Sequence, residues 1–492
     1  MARPLDDCRA LLLFLAVGTS AVSGVQGADT PPVFRAGAAV ADITPQKWPV
    51  PLVGTFRPRL ASRAWDPLSA RALVLDDGRT RLGIVVVDSC YCPRDVFDTA
   101  KLRASRRTGI PSDHILTAAT HTHSAPPSRD RRELKRDPEY VEHIIRGIVS
   151  ALQQATGNLL PAQIGWGSVQ VPEEVFNRRW FMNPGGIVPN PFGGITDQVR
   201  MNPPRNQKLL SRPAGPTDPE VCFVYVRTTT GRPLALLANY SLHYVGGVPP
   251  GGVSADYFGE FANQIGRRLF PTDRQDDLPH FVGILSNGTS GDINNINFTN
   301  PRGRQKPFER IRSVARLLTD RICAKLPEVT LHSWVPLAMA QSELTVNVRR
   351  PTPQQVAQAR RFLAESDETK LPARAKPYAT WTLKLAEHPG TEKLVLQALR
   401  IGDLGITAIP CEAFAEIGLS LKRKSPLAKT FTIELANGHY GYLPTPRQHD
   451  LGGYETWLGS NTLEIQASNL IEQRLLELLN RLTAATTNTR PR

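Results

Sequence analysis

Two histidines on alternate positions, His121 and His123, stand in the run Ala119-Thr120-His121-Thr122-His123-Ser124, directly after residues 114–120, which read as a buried strand. Side chains two apart on a strand point to the same side, so both imidazoles can face one site. Neutral imidazole binds metals and carries protons, so the pair can supply a ligand and its catalytic neighbour. The same spacing also suits a hydrogen-bonded polar pair at a strand end. The two residues alone do not separate these readings.

Three more polar residues occupy comparable places. His243 follows the apolar run 233–242, Glu412 follows 406–411, and Tyr442 closes Asn437-Gly438-His439-Tyr440-Gly441-Tyr442 just beyond the run 431–435. In α/β sheets, ligands gather at the carboxyl ends of strands. His121, His243, Glu412 and Tyr442 would offer two nitrogens and two oxygens, a donor set suited to zinc. Spacing alone does not assemble them. Residues 285–295 run from a strand into a Gly-rich polar loop, either an ordinary turn or a cradle of N–H groups for an anion. Asn177-Arg178-Arg179-Trp180 is either a surface cluster or a guanidinium placed over a polar group of a substrate.

The elements that must position these residues alternate between strand and helix. Residues 71–75 and 82–88 flank Asp76-Asp77-Gly78-Arg79, a hairpin signal, and a helix is expected over 93–107. Further helices are expected over 138–156, 257–269, 308–325, 353–364, 413–423 and 463–482. Strands are expected over 222–228, 233–242, 280–285, 337–348, 396–400, 406–409 and 431–435. Residues 166–219, rich in Pro, Gly, Asn and Arg, read as long loops over a functional face. With no internal repeat and no clear linker, the simplest architecture is α/β. One large mixed-sheet domain would carry helices packed on its sheets and the site at strand carboxyl ends.

Composition narrows the class. A chain of 492 residues with 41% hydrophobic and 21% charged residues has the make-up of a globular protein with a large core. No apolar run reaches the ~18–20 residues a membrane-spanning helix needs. The net charge of +14 comes from scattered arginines without a basic stripe interleaved with aromatics, which argues against a nucleic-acid partner. Such charge suits an anionic lipid surface or a solvated basic face. Arg3 and Arg9 around the apolar residues 10–17, with Val25-Gln26-Gly27 beyond, read as a secretory signal over residues 1–28, so export to the periplasm or the outside is expected. Residues 484–492 read as a disordered tail, leaving 33–483 as the domain. Cys90, Cys92, Cys222, Cys323 and Cys411 contain no CxxC pair, which argues against a zinc ribbon and leaves disulfide pairing open.

These segments, in this order, resemble the catalytic domain of the neutral (non-lysosomal) ceramidases, zinc amidases that cleave the N-acyl bond of ceramide. Ala41-Asp42-Ile43-Thr44-Pro45 is similar to the family's opening ADIT segment, and the resemblance runs on to about Leu482. Thr120–Ser124 matches THTHS, Asn239–His243 fits NxxxH, Pro410-Cys411-Glu412 resembles PGE, and Asn437–Thr445 looks like NxYxxYxxT. Tyr454-Glu455 fits the family's YE pair, and Asn177-Arg178-Arg179 its NRS segment. The resemblance implies zinc on His121, His243, Glu412 and Tyr442, proton transfer by His123, and substrate contacts from Arg178 and Tyr454. It implies a lipid substrate, met at a membrane surface. Gly291-Asp292-Ile293-Asn294-Asn295 departs from the family's Gly-Asp-x-Ser-Pro-Asn, placing Asn294 where a catalytic Ser is expected. An amide is no nucleophile, but its N–H can donate to an oxyanion. The family's C-terminal immunoglobulin-like domain is not expected here. Two alternatives stand beside a ceramidase: a zinc hydrolase of a different N-acyl or ester substrate, and a non-catalytic lipid-binding homologue. The sequence carries no signal for oligomeric state.

Overall fold

Alternating side chains build the centre of this fold. In the strand Arg81–Val87, Val85 and Val87 face one core while Ile84 and Val86 face another. In Pro233–Tyr240, Leu237 and Leu236 divide between two cores in the same way. A strand buried on both faces needs apolar layers above and below it. The computed structural model describes residues 33–54, 59–130, 134–270, 280–303 and 305–487. The expected signal segment, residues 1–28, lies outside them.

Eight strands form the main sheet, in the spatial order Val282–Asn287, Pro233–Tyr240, Glu220–Thr228, Leu160–Gln170, Arg35–Asp42, Ser69–Asp76, Arg81–Val87, Ile115–Ala119. The outermost pair at each edge is parallel and the inner pairs are antiparallel, so the sheet is mixed. One face is covered by the helices Arg94–Thr108 and Pro138–Gly157 and by Asp256–Leu269 and Glu309–Lys325. The other packs on a second sheet, Leu337–Asn347, Thr391–Ile401, Leu404–Ile409 and Lys429–Glu434, through Leu116, Ile284, Ile406 and Phe431. The helices Ala415–Lys424 and Ala467–Thr487 cover the far side of that sheet. The result is helix, sheet, sheet, helix, and from Val33 onward the chain is one unit.

Local chemistry fixes the helices. Asp137 accepts a hydrogen bond from Glu139 N and Pro138 occupies the first turn, so Pro138–Gly157 starts where both residues favour a start. Ile144, Ile148 and Leu152, four apart, then face the sheet, and burying each is worth about 1.5–3 kcal/mol. Twist accumulates over eight strands, and the two edge strands come into contact. That coil delivers the ends of distant strands to one place.

Several expectations need correction. Most of 166–219 is loop, as expected, but strands interrupt it: Leu160–Gln170 belongs to the main sheet, and Phe176–Asn177, Arg179–Met182, Val199–Met201 and Leu210–Pro213 form small ladders. Runs of two to four residues carry no period for a pattern to show. The helix Ala375–Ala386 was not expected. The last helix starts at Ala467 and reaches Thr487, so 484–487 are helical rather than part of a tail; anchored by Leu475, Leu478, Leu479 and Leu482, it propagates one more turn. Cys90, Cys92, Cys222, Cys323 and Cys411 are all free thiols. Among the described residues no helix is long and apolar enough to cross a membrane.

Candidate metal centre

His121 lies two residues beyond the edge strand Ile115–Ala119, in a left-handed backbone conformation with φ 76°. That conformation is costly for a residue with a Cβ and is held by its surroundings. His121 N donates to Ser89 O at 2.9 Å, and Nδ1 lies 2.6 Å from Cys90 O. A carbonyl can only accept, so Nδ1 carries a proton and Nε2 is the nitrogen turned inward. His243 follows Pro233–Tyr240 near the opposite edge of the sheet and repeats the device, with Nδ1 3.1 Å from Ser290 O.

The two Nε2 atoms meet at 2.9 Å. Glu412, which opens the two-residue strand Glu412–Ala413 after the second sheet, places Oε2 3.3 Å from His121 Nε2 and 4.0 Å from His243 Nε2. This buried oxygen has no well-formed hydrogen bond. Against burial, Glu412 and then Cys90 hold the His121 pKa well above its usual range, so this buried point favours positive charge, a proton or a cation in its place. The centre of the triangle made by His121 Nε2, His243 Nε2 and Glu412 Oε2 is about 2.0 Å from each atom, a zinc–nitrogen or zinc–oxygen bond length. The donor set therefore fits a zinc ion.

A second group, Cys90 with His121 and His123, also brings donor atoms together. It places Cys90 Sγ 3.8 Å from His121 Nδ1, the nitrogen already given to the Cys90 carbonyl. The group built on Nε2 is the better centre.

His123 turns Nε2 to the same point, 3.2 Å from His121 Nε2, with its ring stacked on Tyr244 at 3.7 Å between centroids. Gly54 lies against this ring so closely that a Cβ there would come within 2.4 Å of His123 Cγ, at a φ of +94°. Only glycine fits. Tyr442 pairs in parallel register with Glu412, and its buried ring lies 5.4 Å from the Arg178 guanidinium. Burial and the Glu412 charge hold its phenol well above the usual range.

Arg178 is buried rather than displayed on a surface. Nε donates to Glu455 Oε1 at 2.9 Å and Nη2 to Gly291 O at 2.7 Å, while Nη1 points at His243 Nε2 from 3.5 Å. Glu455 also takes Arg179 Nη1 at 2.8 Å. Tyr454 stands edge-on to Tyr442 and lines, with Glu412, His439 and Tyr442, a cavity of about 490 Å³. Asn294 is buried in the two-residue strand Ile293–Asn294; its Nδ2 donates to Asn202 Oδ1 at 2.6 Å and its Oδ1 accepts from Ile296 N at 2.9 Å. One amide hydrogen remains.

Around these residues the Gly-rich segment is tied down as a built loop. Glu434 accepts from Ser290 Oγ, Asn287 Nδ2 and Ala413 N, at 2.7, 3.0 and 2.7 Å, clasping the loop to the Glu412 strand. Burial pushes its carboxyl up to about 8. Asp292, pushed by burial to about 6, takes Ala415 N and Asn177 Nδ2.

One residue escaped the sequence reading. His439, buried and stacked on Tyr91, sets Nε2 3.2 Å from Glu412 Oε1. Burial first, and then Arg129, hold it down to about 3, so the ring is neutral and can donate to the carboxylate. Burial alone would raise Glu412, but His121 and His439 keep it well below the usual range. The available signal was a histidine two residues after Asn437, where the matched pattern has a tyrosine.

Fold and cluster together define a layered, mixed-sheet α/β protein with a buried centre of two histidines and one carboxylate. Two solved structures share this fold. One is a neutral ceramidase from Pseudomonas aeruginosa, with a TM-score of 0.65 and 16% identity over 92% of this chain and 74% of that one. The other is a ceramidase complexed with C2, with a TM-score of 0.67 and 15% identity over 92% of this chain and 76% of that one. No protein-family model and no curated protein sequence matches the chain. The resemblance to neutral ceramidases is thus shown at the level of the fold.

Proposed function

We propose that this protein is an exported, zinc-dependent amidohydrolase that cleaves the N-acyl bond of ceramide or a related lipid. The observation that carries this reading is the meeting of His121 Nε2, His243 Nε2 and Glu412 Oε2 at one buried point. His121, His243 and Glu412 would hold the metal, with Tyr442 as the fourth donor beside them. Bound zinc supplies Lewis acidity, polarising the amide carbonyl and acidifying water.

The chain's own groups do the rest. Hydrolysis puts OH on the acyl carbon and a proton on the departing amine. His123, its Nε2 aimed at the centre and its ring held by Tyr244, moves that proton. Arg178 Nη1 and the remaining amide hydrogen of Asn294 donate to the negative charge that grows on the carbonyl oxygen. A serine nucleophile at position 294 is absent from this scheme. Tyr454 and the cavity of about 490 Å³ take part of the lipid.

The test is release of free fatty acid from detergent-dispersed ceramide by the mature protein, with a chelator-treated control and a His121→Ala variant. Release lost on chelation, restored by zinc and missing in the variant is expected. Full activity in the metal-free protein or the variant would overturn the reading.

A further inference from the structure

A second cavity, of about 720 Å³, is walled by the chain just after His243 and just after Asn294 and carries charge of one sign. Arg205, Arg302, Lys306 and Arg310 line it, and no acidic side chain does so among the described residues. Behind it Glu174 pairs with Arg310 and lies 3.5 Å from Arg302. Arg205 and Lys306 make no ion pair among the described residues. The cavity at Glu412 and Tyr442 differs: Arg94, Arg129 and Lys384 there face Asp95, Asp130 and Glu392. Of these two cavities, the larger is the electrostatically one-sided one among the described residues.

Its walls are the segments that carry site residues. Gly246, three residues after His243, lies where a Cβ would meet the Tyr244 ring at 3.3 Å, and Tyr244 stacks on His123. Opposite, Asn295 follows Asn294 directly, and its carbonyl accepts from Arg302 Nη1 at 3.0 Å. Between the Gly246 wall and His121 lie the Tyr244 and His123 rings. Val245 and Ile296 give it an apolar surface along which methylene groups can lie.

We propose that this cavity binds an anionic group, a carboxylate or phosphate, on the amine side of the substrate, so that the preferred substrate is an N-acyl amine bearing negative charge rather than neutral ceramide. The inference rests on the amidohydrolase reading above. Because its walls continue directly from His243 and Asn294, the molecule undergoing cleavage is the ligand that would reach it, and the anion is then the substrate's own. Cationic walls attract it before binding and fix its orientation afterwards.

The experiment compares N-palmitoylglycine with N-palmitoylethanolamine, which share an acyl chain and a scissile bond, in neutral detergent micelles. The wild type is expected to favour the glycine conjugate at least tenfold in kcat/KM. Arg205→Ala/Lys306→Ala is expected to cut that ratio about tenfold, through KM with kcat kept. Equal preference in the wild type, or a ratio unmoved in the variant, overturns the proposal. So does a gain with both substrates on adding phosphatidylglycerol vesicles that the variant loses, which would assign the cavity to a lipid headgroup. If neither substrate is cleaved, the amidohydrolase reading fails and calorimetry decides the cavity separately. Tighter binding of N-palmitoylglycine that the variant loses supports it; equal binding of both overturns it.

Discussion

His439 Nε2 lies 3.2 Å from Glu412 Oε1, on the side of the carboxylate away from His121 and His243. The neutral ring, clamped by Tyr91, fixes which Glu412 oxygen faces the two imidazoles. Partners of this kind, outside the ligands themselves, are typically worth 10–100-fold in metal affinity. His439→Ala is expected to raise the zinc dissociation constant by about that factor, and His439→Gln, which keeps a donor, to recover part of it. Competition with a chromogenic chelator measures both. An unchanged constant in the alanine variant would deny His439 this positioning role.

Glu455 binds Arg178 and Arg179 at 2.9 and 2.8 Å, with all three side chains buried. Removing the shared carboxylate leaves two buried guanidinium groups uncompensated. Glu455→Gln should cost about 3–5 kcal/mol in urea unfolding, the range for breaking a buried pair from one side. A loss below about 1 kcal/mol, the range of exposed pairs, would show that water reaches this site.

Asn294 carries a prediction about chemistry. Asn294→Ala removes a donor proposed to face the developing oxyanion, and kcat should fall about 10²-fold with KM within twofold. Steady-state kinetics on any cleaved N-acyl amine reads this directly. A kcat that stays unchanged would leave Asn294 only its hydrogen bonds to Asn202 and Ile296.

Lys422 and Lys429 both lie 2.9 Å from Glu220, tying the helix Ala415–Lys424 and the strand Lys429–Glu434 to the main sheet. Burial pushes Glu220 up, but Lys422, Ser168 and Lys429 outweigh it and hold the carboxyl at about 2. The unfolded value is about 4.3. A carboxyl with a depressed folded pKa adds stability that is complete above the unfolded value and lost as pH falls through the folded one. The Tm gap between wild type and Glu220→Gln should therefore be constant above about pH 5 and close by about pH 2. A gap that persists at pH 2 would place its origin outside the ionised carboxylate.

Much of this was legible in the residues. The run before His121 and the run before His243 read as strands, and both are strands, because uninterrupted apolar stretches of that length fill a sheet buried on two faces. That their imidazoles meet was not legible, since it depends on how far an eight-stranded sheet coils. Local sequence left Arg178 open between a surface and a site residue because its partner, Glu455, lies 277 residues away. The helix Ala375–Ala386 carries Pro377 in its first turn and little clean periodicity, so it left no signal. His439 was hidden for another reason: the pattern that drew attention to Asn437–Thr445 ends on Tyr442, and only the fold turns the intervening histidine onto Glu412.

On the function proposed above, His121, His243 and Glu412 hold one metal ion on which cleavage depends. Metal analysis of the dialysed wild type and of His121→Ala, His243→Ala and Glu412→Gln, each checked for native fold by circular dichroism, tests it most directly. One zinc per chain in the wild type and a folded, zinc-free protein in each variant are expected. Zinc retained in all three variants, or none bound by the wild type at saturating metal, would contradict it.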